Sequence, residues 1–170
     1  SVPADVRIET YVRAKTMEAI EATHKKVDTA LKAGGDAVGA QTVIATMPGQ
    51  LPLACNNRLN ELFVTNAKIA EPNVAVKDAG HFSASTDMGD VSHLLPVIHP
   101  FIGGVDGFLH TADFHVVDFK HAVLLPAKAF AMMIIDLLAD DAELARQIKA
   151  EHHPLLTKEE YIAKLDKYFQ

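Results

Sequence analysis

The 170-residue sequence predicts a mixed α/β (α+β) chain built in two parts. Three observations predict it. Residues 6–13 alternate strictly, with Val6, Ile8, Thr10 and Val12 on one face and Arg7, Glu9, Tyr11 and Arg13 on the other. A helical pattern follows and leads to the apolar run "TVIATM" at 42–47, so the first unit reads strand, helix, strand. Beyond residue 55 the patterns are mainly helical, interrupted by one loop-rich region.

Each element has its own signal. Period-two alternation marks 6–13 as a half-buried strand. Thr16 is placed to cap a helix, because its hydroxyl can take a free backbone N–H. Ile20, Val27 and Leu31 recur at helical spacing, with Lys25, Lys26 and Lys32 on other faces. Gly34-Gly35 is the expected end of that helix, since glycine adopts the left-handed C-terminal conformation cheaply. Pro48-Gly49 stops the strand at 42–47. Asn56 to Glu71 reads as a helix with Leu59, Leu62, Phe63 and Ile69 as its apolar positions, closed by Pro72.

From Asp78 to Gly107 glycines, serines, prolines and histidines mix with short apolar runs, the texture of a functional loop region. Within it "PVIHPFIGG", 96–104, reads as a short strand. Residues 119–139 form a strongly apolar helix, expected to be buried on most sides. Asp140 and Asp141 are expected to cap a further helix that ends near His152-His153, before Pro154. Thr157 with Glu160 makes a capping box for a last helix with Tyr161, Leu165 and Tyr168 on one face. A boundary near Leu53 to Asn57 separates parts 1–54 and 55–170.

Composition narrows the function. Hydrophobic residues at 49% and charged residues at 22% describe a globular chain rather than a disordered one. The net charge of -6 disfavours nucleic acid and anionic membrane as partners, because both need a basic surface. The apolar stretch 122–139 carries Lys128 and Asp136 and is too short and too charged to span a bilayer. Cys55 is the single cysteine, so no internal disulfide forms and a cytoplasmic location is the natural reading. The chain starts at Ser1 directly in strand-like sequence, which makes a fragment the expectation.

Candidate chemistry centres on "GFLHTADFH", 107–115, and "ASTDMGDVSH", 84–93. A neutral imidazole at His110 is a good zinc ligand when a short turn fixes it; the alternative is a hydrogen-bonded loop histidine. Asp87 can orient a histidine or support a metal ligand, or it can cap the helix that begins near Asp90. Arg13 ends the polar face of the first strand, where its guanidinium fork can hold a carboxylate or stand solvated. His110, His115 and His121 lack the spacing of a helical zinc pair. Cys55 reads as a buried, inert thiol. Nucleophile-elbow, phosphate-loop and dinucleotide motifs are absent from the sequence.

The strings "VPADVRIETYVRAKT", "ASTDMGDVSHLLPVIHPFIGG" and "FLHTADF" occur in an order that resembles the zinc-dependent amidohydrolase and peptidase family. That family includes aminoacylases, carboxypeptidases and aminobenzoyl-glutamate hydrolases; the middle string is most similar to the last of these. The resemblance covers nearly the whole chain. It implies that residues 1–54 are the second half of a ferredoxin-like lid and dimerisation domain. Residues 55–170 would be the C-terminal part of an α/β metallohydrolase catalytic domain. By the same resemblance His110 is a ligand to one of two zinc ions, Arg13 faces a substrate carboxylate, and Asp87 lines the site. The implied activity is hydrolysis of an amide in a carboxylate-bearing small molecule or peptide, by a homo-oligomer.

The sequence departs from the family by lacking the early His-x-Asp or Cys-x-His segment, the bridging carboxylate and the catalytic Glu-Glu pair. Glu159-Glu160 matches that pair by letters only. These 170 residues are therefore expected to be inactive alone, resembling the last two-fifths of a full-length member. A rival reading is a non-catalytic module that dimerises or binds a small ligand; a third is a subunit whose site is completed by another chain. An exposed strand edge and apolar patch are expected to drive self-association.

Overall fold

The computed structural model describes residues 3–78, 80 and 84–167. Five α-helices appear among them: α1 (Met17–Ala37), α2 (Asn57–Ala70), α3 (Met88–Ser92), α4 (Leu125–Glu151) and α5 (Lys158–Asp166). A two-stranded antiparallel ladder of β1 (Val105–Asp106) and β2 (His115–Val116) lies between α3 and α4. It pairs Val105 with Val116 and Asp106 with His115.

α1 begins where the capping signal puts it, with Thr16 Oγ1 accepting from the Ala19 N–H at 3.3 Å. It does not stop at Gly34-Gly35 but runs to Ala37. Gly35 serves a close approach instead: a Cβ there would collide with the Thr42 hydroxyl on the returning chain. Ile20, Val27 and Leu31 are half-buried, and α1 buries none of its residues fully.

The strands expected at 6–13, 42–47 and within 96–104 do not form ladders among the described residues. Val6, Ile8, Tyr11, Val43 and Met47 are each about 70–80% exposed. A strand is completed by a neighbour that takes its N–H and C=O groups. Alternation supplies the faces of a strand but not that neighbour.

α2 and α4 form the core. Leu59, Phe63 and Ala67 of α2 meet Ala129, Met133 and Ile148 of α4, and Ala129 has no exposed surface. The Phe63 and Phe130 rings pack tilted at 53°, with centroids 4.9 Å apart. The buried stripe of α2 follows spacings of four, so Ile69 falls off it and is 63% exposed, contrary to its expected core role. Asn66 takes the buried position instead. Its side-chain amide donates to Leu62 O at 3.1 Å and to the Asp136 carboxylate at 2.7 Å. Asn56 caps α2 through the Leu59 N–H at 3.1 Å.

α4 is preceded by a π-helical stretch, Lys120–Leu124. It is less enclosed than its composition implies: Ile134, Ile135 and Leu138 are exposed, because α2 covers only one stripe. The helical run Lys120–Glu151 has 32 residues and is long and apolar enough, by length and composition, to cross a membrane; the apolar stretch read from sequence is shorter. Asp140 and Asp141 do not act as caps. With Ala142 they take left-handed φ values of 48°, 59° and 59° and break the run in two. Side chains pay a steric cost there, most clearly alanine.

α5 carries the expected capping box. Thr157 Oγ1 accepts from the Glu160 N–H at 3.1 Å, and the Thr157 N–H donates to the Glu160 carboxylate at 2.7 Å. Tyr161 and Leu165 are half-buried; Tyr168 lies outside the described residues.

Phe63→Ala should lower the unfolding free energy by about 3–5 kcal/mol, read as a shifted urea midpoint, because it empties the α2–α4 contact. Thr157→Ala should cost about 1 kcal/mol of helix stability and fray α5 alone, seen as faster amide exchange confined to that helix.

Candidate functional site

A cleft of about 1560 Å³ runs between α1 with its leading segment and the α2 side of the chain. Val12, Arg13 and Ile20 line one wall; Leu53, Phe63 and His99 are among the residues opposite. Its lining is mixed, with Lys15, Glu18, Glu21 and Lys164 beside the apolar side chains. Arg13 is exposed in the cleft, its guanidinium 5.2 Å from the centroid of the Tyr11 ring. Alternation in 6–13 puts the two side chains on one face, where a cation over a ring is favourable.

The "TDMGDVSH" string grips the chain at residues 50–54. Asp87 takes a hydrogen bond from the Gln50 side chain. Asp90 Oδ1 accepts from the Leu51 N–H at 3.3 Å. Ser92 Oγ accepts from the Ala54 N–H at 3.0 Å and donates to Gly89 O at 2.6 Å. His93 Nε2 donates to Pro52 O at 2.9 Å. A Cβ on Gly89 would collide with Leu51 O, so the two backbones touch. Asp87 stands at the N-terminus of α3 without capping it; Thr86 Oγ1 meets the Met88 N–H at 3.4 Å. Burial pushes the Asp90 carboxyl up, against the lowering effect of the bonds from Leu51 and the Tyr161 hydroxyl.

His110 sits on the loop that joins β1 to β2, exposed and at φ 66°. Glycine at 107, with φ 85°, is required because a Cβ would strike the Asp113 carbonyl. The Thr111 N–H and hydroxyl both donate to Phe108 O, at 3.2 and 2.6 Å, and the hydroxyl also meets the Asp113 carboxylate. His115 Nδ1 donates to Asp113 O at 2.6 Å. These bonds shape the loop around His110 without engaging it. Arg13 lines the cleft, Asp87 bonds to Gln50 on its lining, and His110 is not among the lining residues.

Among the described residues no three His, Cys, Asp or Glu side chains converge as a metal site. Within the described residues His110 offers a single imidazole.

Two histidines of the cleft were not singled out by sequence. His93 and His99 line it, and His99 Nδ1 is buried without a hydrogen-bond partner among the described residues. Pro100 is the local signal, since a proline biases the residue before it toward extended backbone. His121 also lines the cleft. Its backbone N–H and Nδ1 both donate to Asp118, at 3.1 and 2.6 Å, and the bond to the ring holds the Asp118 carboxyl below its usual range. Beside it Lys120 pairs with Glu71. Cys55 is half-buried, and burial pushes its thiol up, consistent with an unreactive cysteine.

The chain is 28% identical over 151 residues to Xaa-Arg dipeptidase of Mus musculus. The match covers 84% of this chain and 35% of that protein, so the chain spans about a third of the length of the curated relative it matches. This distant similarity supports a peptidase-like hydrolase at most. No family model matches the sequence. No solved structure matches it.

A raised thiol pKa means less thiolate at any given pH. The rate of Cys55 alkylation by iodoacetamide should therefore have its pH midpoint above that of a free cysteine. A midpoint at or below the free-thiol value would contradict the burial seen here.

Proposed function

We propose that this chain is the C-terminal part of a peptidase-type amidohydrolase acting on a dipeptide or N-acyl amino acid with a free carboxylate. The observation that carries the reading is similarity to a dipeptidase along 84% of the chain, with Arg13 among the residues that line the cleft. Arg13 would pair its guanidinium fork with the substrate carboxylate. Tyr11 supports the guanidinium from one side.

In this reading zinc is the metal of the complete enzyme, where it would polarise the amide carbonyl. His110 would supply one ligand, and the further ligands and the general base that the resemblance calls for would come from another part of the complete enzyme. Asp87 contributes indirectly, by holding Gln50 at the cleft. The oligomer would form through the exposed segment 6–13.

A chimera tests this. The 151 matched residues of the mouse dipeptidase are replaced by their counterparts here, and hydrolysis of Xaa-Arg dipeptides is followed. Activity should survive the exchange. In the chimera His110→Ala should lower kcat by more than about 100-fold, with loss of bound metal. Arg13→Ala should raise KM by about 10–100-fold, and Arg13→Lys should restore only part of the loss. An active chimera indifferent to both substitutions would sink the site assignment.

A second reading, a non-catalytic dimerisation module, is favoured by the exposure of Val6 and Ile8 along an unpaired extended segment. Light scattering after size exclusion should show self-association of the 170-residue chain, weakened by Ile8→Lys. A clean monomer would contradict it.

A further inference from the structure

We propose that residues 86–93 are a latch that sets the width of the cleft by gripping the strap Gln50–Ala54. The strap is the covalent path from the α1 unit to the α2–α4 core, so its direction fixes how the two walls face each other. This inference does not rest on the hydrolase reading.

The grip is made by backbone and side chain together. Four latch residues, Asp87, Asp90, Ser92 and His93, bond in turn to Gln50, Leu51, Ala54 and Pro52. Leu51 and Ala54 thus give their amide protons to side chains rather than to a neighbouring strand. Ser92 and His93 are buried, 1% and 5% exposed, so these bonds are sheltered from competing water. Gly89 lets the helix touch the strap directly.

Among the described residues the hold on α1 itself is slight. α1 buries no residue, and Lys164 reaches Glu21 through a surface ion pair at 3.2 Å, an interaction that contributes little in water. The cleft opens between these loosely held parts, with Val12, Arg13 and Ile20 on the side that the strap carries. Slackening the latch frees that wall while leaving the α2–α4 core packed.

The test uses the full chain in a Cys55→Ser background, with spin labels at Lys26→Cys on α1 and Lys149→Cys on α4. Asp90→Ala with Ser92→Ala should speed amide exchange at Leu51 and Ala54 by about tenfold. The label-to-label distance distribution should broaden about twofold, with α2 and α4 amides unchanged. Faster exchange with an unchanged distribution would overturn the proposal, leaving the loop as a local cap on the strap. If the double variant unfolds, Gln50→Ala decides, since that side chain is exposed. A broadened distribution there supports the latch, and an unchanged one overturns it.

Discussion

The contact between α2 and α4 is the interaction on which the rest of the structure hangs. Ala129 is small enough to let the helices meet closely, and Phe63 and Met133 fill the space on either side. Burial of these side chains is the main apolar stabilisation in the chain. Asn66 adds direction to it. A buried amide must find partners, and this one bonds Asp136 across the interface. Sliding either helix by a turn would cost the amide this cross-helix partner and leave it only its bond to Leu62 O, so the pair favours one register.

Everything that borders the cleft is positioned from this core outward. The Asn56 N–H donates to Val97 O at 2.8 Å, tying the start of α2 to the 96–104 segment and hence to His99. α3 holds the chain just ahead of Asn56. The Leu156 N–H donates to His93 O at 3.0 Å and links the approach to α5 with the same loop. The 84–93 string, rich in groups that look chemical, spends most of them on the backbone of 50–54. Small polar side chains can satisfy backbone groups that no strand reaches.

α1 and the outer face of α4 are less enclosed among the described residues. Val6, Ile8, Ile134, Ile135 and Leu138 are exposed, an arrangement that favours association with another apolar surface. The same openness gives the cleft its size. His110, on its own loop, has an imidazole without neighbouring metal-type ligands among the described residues. Arg13, by contrast, lines the cleft.

Local signals were legible in the sequence alone. Thr16, Asn56 and the Thr157/Glu160 box start helices through contacts three residues apart, which side-chain chemistry decides without help from the rest of the chain. The interior of α2 is equally readable from its period. What tertiary structure decided was everything that needs a distant partner. Segment 6–13 alternates like a strand and 42–47 is an apolar run, yet among the described residues neither has a neighbouring strand to complete it. Ile69 and Leu138 are apolar yet outside the covered stripe, and Asn66 is polar yet inside it, because the crossing of two helices chooses which stripe is buried. Asp87 could cap a helix or serve a site by its spacing. Its bond to Gln50, 37 residues away in sequence, is visible only once the fold brings them together.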